Sequence, residues 1–354
     1  KGFEKDKDKN RLRHQDIHKI VDVFNNQLEI EKYSRMVSFS EIEANDFNLN
    51  IPRYIDSSEP EDIQDIESHL LGDIPNRDIE DLQNYWDVYP SIKDELFVKG
   101  RNSNYSRLKV EKDRMRSIIH THPEFETYLK NTEKVFQYWA GNNTPILMDL
   151  KQGVKPKKII ELISEDVLKT FSDLKLIDKY DVYQHLMDYW TSTMQDDLYM
   201  ISSDGWKIEL YTEGEGKKKV YKCDLVPQEI IVNAYFKKEW AEIENLEAEI
   251  ESIASQIQEI KEEYAGEDGL LSTVVNEKGN IVKNEAIKRI KEIAQSGEDE
   301  EELKILQQYL TLCEKESSVK SSLKAAQEKL DNNVIAIYRE LTEDKVKDLV
   351  VNEK

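Results

Sequence analysis

From Val232 onward, Val232, Phe236, Ile243, Leu246, Ile250, Ile253, Ile257, Ile260 and Tyr264 follow one another in alternating steps of three and four, broken only by Glu239. An apolar stripe with that period, kept over four heptads, is an a/d seam and confines the segment to a long one-sided helix. A second stripe passes through Leu303, Leu306, Leu310 and Cys313, then Val319, Leu323, Ala326, Leu330, Val334, Ile337 and Leu341. Each run is roughly 37–40 residues, or about 55–60 Å as helix. Matched lengths predict one antiparallel coiled-coil hairpin over 226–354, with its tip at 265–299 and a small helix near Asn284–Ala294. Charge agrees: residues 241–264 hold eight Glu and one Lys, while 314–329 hold four Lys and three Glu. The candidates for a seam that receives a partner helix are Ile243, Leu246, Ile250, Ile253, Ile257, Ile260, Val319, Leu323 and Leu330. No repeat of solenoid length is visible.

The rest of the chain reads as mainly helix with small β elements, since 34% of residues are charged and only 12 Gly and 8 Pro interrupt them. Residues 1–13 are a charged, non-periodic loop with six Lys or Arg against three acids. A helix is expected over Gln15–Glu29, where Ile17, Ile20, Val21 and Phe24 share a face. Short strands are expected at Met36–Phe39 and Leu49–Tyr54. Two such strands make no stable sheet, so they read as edges of something larger. Residues 59–98 look helical, punctuated by Pro75 and Pro90, and 99–107 look like a linker. Further helices are expected at 123–139, 156–173 and 178–194, with breaks at Gly141 and Gly153. Asp204-Gly205 signals a hairpin between Leu198–Ile201 and Trp206–Tyr211, with a third strand over Tyr221–Val226. These elements predict three regions: 1–58, a mostly helical 59–225 with the hairpin near 198–211, and the helical hairpin 226–354.

Chemistry is constrained mainly by absences. There is no Gly-x-Gly-x-x-Gly, and the Gly214–Lys218 loop lacks the first Gly and the Ser or Thr of a phosphate loop. No two prolines are adjacent, so no Asn-Pro-Pro-aromatic motif exists to grip a flipped adenine. Gly-x-Ser-x-Gly and His-Glu-x-x-His are absent too. His120 and His122 lack a third ligand at helical spacing and read as a turn before Pro123 rather than a metal site. His14 and His18 read the same way. Tyr85, Trp86 and Tyr89 are expected in the core, as are Tyr189 and Trp190. Cys223 and Cys313 read as reduced, packed thiols. The net charge of −22 argues against free nucleic-acid binding and leaves local basic patches or a partner to supply it. The candidates are Lys9, Arg11 and Arg13 in the opening loop and Lys217 and Lys218 at 214–219. No stretch spans a bilayer, and a cytoplasmic location is expected.

Several blocks resemble one family. KGFEKDKDKNRLRHQDIHKIVDVF and KYSRMVSFSEIEANDFNLNIPRYID are similar to the end of the catalytic domain of type I restriction–modification modification subunits. QDIESHLLGDIPNRDIEDLQNYW, YWTSTMQDDLYMISSDGW, DLVPQEIIVNAYF, EEYAGEDGLLSTVVNEKGNI and LTEDKVKDLVV resemble its longer-tailed members. The resemblance implies a DNA adenine-N6 methyltransferase that uses S-adenosylmethionine. It implies two modification subunits with one DNA-specificity subunit on duplex DNA, and restriction subunits for cleavage. The family's cofactor and Asn-Pro-Pro-Phe motifs would lie upstream of this chain, so no catalytic, cofactor-binding or metal residue carries over. The chain, opening at Lys1 and closing at Lys354, accordingly reads as a carboxy-terminal piece that clamps DNA and assembles subunits. Two other readings are a free-standing coiled-coil scaffold and an enzyme using the His120 and His122 region. The scaffold would have no use for orphan strands at 36–54.

Overall fold

Opposite charges placed across from one another start the chain. Glu4–Asp6 pairs antiparallel with Lys9–Arg11, setting Glu4 opposite Arg11 and Asp6 opposite Lys9, a cross-strand pattern that stabilises a ribbon. The expected irregular loop is thus partly strand. The computed structural model describes residues 2–7, 9–58, 64–214, 220–266, 269–276, 279–297 and 299–354. It divides into two units, Lys1–Gly205 and Trp206–Lys354. Both are mainly helical.

In the first unit a helix follows over His14–Asn26, ended by Gln27 in the left-handed region. The strands expected at Met36–Phe39 and Leu49–Tyr54 are absent. Ser38 instead caps a helix over Phe39–Ala44, its hydroxyl accepting from the Glu41 N–H at 3.2 Å. Ser38 and Glu41 have the spacing of a capping box, which outweighs the β-branched pattern. Ile51–Arg53 is a 3₁₀ turn, where Pro52 could not donate to a ladder.

Residues 64–121 break into short pieces rather than long helices. Helix Ile66–Leu71 precedes a three-stranded antiparallel sheet with Tyr105–Leu108 between Ile74–Pro75 and Phe97–Lys99. Helices Asn76–Glu80, Gln83–Trp86 and Pro90–Leu96 lie between the sheet's strands in sequence. Their core is Ile79, Trp86, Tyr89, Ile92 and Leu96, so two of the three expected core aromatics are buried and Tyr85 is exposed. Half of the expected 99–107 linker is therefore ladder. After helix Lys112–Thr121, helix Pro123–Met148 runs straight through Gly141. Buried Asn143 carries it onward by donating to Trp139 O at 2.8 Å and to Asp166 at 2.6 Å. Gly153 does break the chain, at φ +85°.

Helix Pro156–Thr170 is followed by Lys179–Tyr189, a π turn at Trp190–Met194, and helix Gln195–Asp204. The hairpin expected near 198–211 is therefore wrong. Gly205, at φ +74°, ends a helix instead of turning a ribbon. An Asp-Gly pair serves either purpose, since both need a residue free to adopt positive φ.

The second unit holds the short ladder Tyr211–Glu213 against Val220–Lys222, shorter than the third strand expected to Val226. Helices Gln228–Tyr235, Lys237–Tyr264, Lys283–Ser296 and Glu300–Glu340 follow. The two long helices pack on each other in opposite directions: Lys315 pairs with Glu249 at 2.7 Å and Gln327 donates to Glu247 at 3.4 Å. Ahead of the first long helix, Gln228 donates to Asp331 at 3.2 Å and Val226 O accepts from Tyr338 at 2.7 Å. Ile253, Ile257, Ile260, Leu306, Tyr309 and Val319 form the core, closed by Leu271, Val274 and Ile293 from the intervening segment. Buried Glu302 is held by Arg289 through contacts of 2.7 and 2.9 Å. Both cysteines are free, and burial pushes the Cys223 thiol up. No helix among the described residues is long and apolar enough to cross a membrane.

Ile253 is 2% exposed and Leu323 is half-buried. Ile253→Ala should therefore cost about 2–4 kcal/mol in urea unfolding, with Leu323→Ala costing less. Equal and negligible losses at both would show that the stripes are not core.

Candidate nucleic-acid interface

The opening basic residues divide into bound and free. Arg13 closes on Asp16: its backbone N–H, Nε and Nη2 reach the carboxylate at 2.9, 3.0 and 3.1 Å. Arg13 is thus engaged in starting the helix. Lys9 and Arg11 are exposed on the ribbon, and neither has an ion-pair partner among the described residues. Lys217 and Lys218 lie outside the described residues.

The helix that Arg13 starts is mounted inside out. Its polar side faces helix Lys179–Tyr189. Gln15 N–H donates to Gln184 at 3.0 Å and its side chain to Asp181 at 2.8 Å. Lys19 pairs with Asp178 at 3.4 Å and sits 5.1 Å from the Tyr180 ring centroid. His18 lies against Tyr183 with centroids 4.7 Å apart. Asp22 accepts from Tyr180 Oη and, at 3.2 Å, from Lys179 Nζ. Burial pushes the Tyr180 phenol well up, keeping it a neutral donor. The apolar side, Ile17, Ile20, Val21 and Phe24, is left in solvent, with Phe24 81% exposed. Met36, Phe39, Phe47, Leu49 and Ile51 are exposed as well. Apolar area of this density is rarely left to water on a monomer.

A second basic element escaped the sequence reading. Residues 99–116 hold seven Lys or Arg against two acids, spread over strand, loop and helix. The signal was a count, hidden because residues 99–107 read as a linker. The seam residues, by contrast, face inward: Ile243, Ile253, Ile257, Ile260, Val319 and Leu330 are buried, while Leu246, Ile250 and Leu323 are half-buried. His122 caps helix Pro123–Met148, its Nδ1 accepting from Glu124 N–H at 3.1 Å. No group of three metal-ligating side chains occurs among the described residues.

Residues 1–63, the segment with the inverted helix, match the N-6 DNA methylase family. The methylase subunit of the type I restriction enzyme MjaVII from Methanocaldococcus jannaschii is 43% identical over 61 residues. That match covers 17% of this chain and 11% of the relative. No solved structure matches. The similarity to methylases is thus carried by the opening segment. Its kinship is with the modification subunits of type I restriction systems, as the sequence blocks indicated.

Hydrogen bonding to Arg13 holds the Asp16 carboxyl below its usual range. For Asp22, burial works the other way but is outweighed by bonds from Tyr180 and Lys179. Depressed carboxylates stabilise the fold above the ordinary carboxylate pKa of about 4, and that stabilisation is lost as pH falls through their folded values. Amide exchange in His14–Asn26 should accelerate below about pH 4 ahead of the helix Pro123–Met148. At neutral pH, Asp22→Ala should accelerate it too, by an opening cost lowered about 1–3 kcal/mol. Unchanged exchange in both experiments would mean that the polar face does not hold this helix.

Proposed function

We propose that this chain is the carboxy-terminal region of a type I modification subunit. In this reading it serves subunit assembly and DNA clamping for a methyltransferase that transfers a methyl group from S-adenosylmethionine to adenine N6. The observation that carries the reading is the apolar surface of residues 17–51, exposed inside the very segment that matches the methylase family. Its partner is the body of the methyltransferase catalytic domain. Residues 1–58 are the tail of that domain, 59–225 a helical connector, and 226–354 a coiled-coil arm. The arm offers its acidic outer surface to the central helices of the specificity subunit, the seam itself being closed within the pair. A second modification subunit and the restriction subunits complete a cytoplasmic complex on duplex DNA. Lys9 and Arg11 touch phosphate there, while Arg13 holds the helix.

The residues present do not fit S-adenosylmethionine. The ribbon Glu4–Arg11 leads into its helix through Leu12 and Arg13 with no glycine loop, and nearby Glu29, Glu31, Lys32, Arg35 and Asp56 line an open, charged groove. No methyl-transfer step is therefore derived from these side chains. A free-standing coiled-coil scaffold is the competing reading, and its supposed discriminator, the strand pair at 36–54, does not form. The exposed apolar surface replaces it, because a scaffold has no reason to keep one there.

The test is co-purification of this chain with a separately expressed methyltransferase portion from the same gene. Phe24→Asp with Phe39→Asp should weaken that association at least tenfold, leaving the chain's own melting temperature unchanged. Equal association of the double variant would sink the reading. The chain alone should show no saturable S-adenosylmethionine binding in calorimetry, and micromolar binding would contradict the assignment. In the reconstituted complex, Arg11→Ala should lower the log–log salt slope of DNA binding by about one unit. Arg13→Ala should lower helix stability instead.

A further inference from the structure

Phe97–Lys99 and Tyr105–Leu108 form a hairpin that ends in a short, highly polar loop, and helix Lys112–Thr121 follows directly. The loop is braced from below. Gly100 N–H donates to Tyr105 O at 2.8 Å, and a Cβ at Gly100 would stand 2.7 Å from that same oxygen. Arg101 lies on the Tyr105 ring, 3.6 Å from its centroid, and donates to Gly72 O at 2.6 Å. Its backbone N–H reaches Asp73 at 2.8 Å, and Arg107 reaches the other oxygen of Asp73 at 2.7 Å. Asn76 holds the loop from the side by donating to Ser103 O at 2.9 Å. A loop tied at so many points keeps its shape before any ligand arrives.

What the braced loop presents is cationic and amide-rich. Lys99, Asn102, Ser103, Asn104, Lys109, Lys112, Arg114 and Arg116 are all exposed. Lys99, Lys112, Arg114 and Arg116 have no acid partner among the described residues. In the following helix Met115, Ile118 and Ile119 pack on the core, while Lys112 and Arg116, one turn apart, stay exposed along the flank of that face. Five net positive charges in eighteen residues stand out in a chain of −22. Lys and Arg for phosphate, with Asn and Ser for phosphate and sugar, are the side chains that position proteins on nucleic acid. A two-stranded ribbon also has the width to lie along a groove.

We infer that the hairpin Phe97–Leu108 and the exposed flank of helix Lys112–Thr121 that carries Lys112 and Arg116 form a second duplex-DNA backbone site, separate in sequence from Lys9 and Arg11. The inference rests on the clamping role proposed above. Its ligand is the sugar–phosphate backbone, contacted without base readout. Lys99, Lys112 and Arg116 supply the charge, and the Asn102–Asn104 tip supplies neutral donors.

The experiment titrates the full chain, and separately the reconstituted complex, against a labelled duplex of about 30 base pairs between roughly 50 and 200 mM salt. Lys99→Ala, Lys112→Ala and Arg116→Ala together should lower affinity at least tenfold at the low-salt end and reduce the log–log slope by about two to three units. Circular dichroism and melting should stay as in the parent, since all three side chains are exposed. Lys157→Ala with Lys158→Ala, neutralising a basic stretch elsewhere in the same unit, should change the slope far less. An equal drop in that control overturns the site in favour of general charge. Displacement by poly-glutamate as readily as by duplex overturns it in favour of an acidic polypeptide. Wild-type binding by the triple variant, with loss in Arg11→Ala, removes this site and leaves the clamping role standing. Absence of duplex binding by both wild-type chain and complex removes both.

Discussion

A helix that buries its polar side and exposes its apolar side is half partnered, and among the described residues His14–Asn26 is held through its polar side, chiefly by helix Lys179–Tyr189. What it has is a set of directional contacts: Asp22 with Tyr180 and Lys179, Gln15 with Asp181 and Gln184, Lys19 with Asp178. Such contacts fix register and orientation but individually contribute little net stability. Burial of Ile17, Ile20, Val21 and Phe24 would contribute much more, at about 1.5–3 kcal/mol for each large side chain removed from water. The larger driving force is therefore held in reserve for another surface. Polar contacts to helix Lys179–Tyr189 decide where that surface is presented.

The second unit works in the opposite sense, because its apolar stripes are consumed internally. Ile253, Ile257 and Ile260 meet Leu306, Tyr309 and Val319, and the intervening segment adds Leu271 and Val274 to the same core. The first long helix leaves an acidic outer face and the second a mixed one, and buried Glu302 is matched by Arg289. A buried charge without such a partner would be destabilising. A rigid helix pair with charged outer faces can bind another helix only through its rim and ends. Polar complementarity there favours specificity over raw affinity.

Sequence periodicity made the long helices legible because their order depends on a repeat that spans dozens of residues. Lys283–Ser296 was legible for the same reason on a smaller scale. Residues 36–54 were misread because their preferences compete: a β-branched, aromatic run also contains a Ser38–Glu41 cap, and local capping prevailed where no neighbouring strand existed to pair with. The Asp204-Gly205 misreading came from one signal with two physical uses. The ribbon at 4–11 was written in cross-strand charge order, which a search for hydrophobic alternation does not see. For the candidate site, the basic opening residues were found but their division into Arg13 as a helix starter and Arg11 as an exposed ribbon cation opposite Glu4 needed coordinates. The basic residues of 99–116 were missed because they straddle three elements, and only the fold gathers them.

Charge then limits how this chain meets a polyanion. At physiological salt, charges more than about 8 Å apart are largely screened from one another. Most of the 72 acids therefore oppose the approach of DNA without much weakening a contact already made. Within one screening length, Lys99, Lys112 and Arg116 act on a phosphate against few local acids, Glu111 and Asp113 beside Lys112 among them. A protein built this way is a poor collector of DNA and an adequate holder of it. On the proposed reading, delivery would come from basic surfaces on other subunits, and the local patches would fix position once the duplex is in place. On that reading the same acids would suppress non-specific capture by the free chain, and DNA affinity would become a property of the assembled complex.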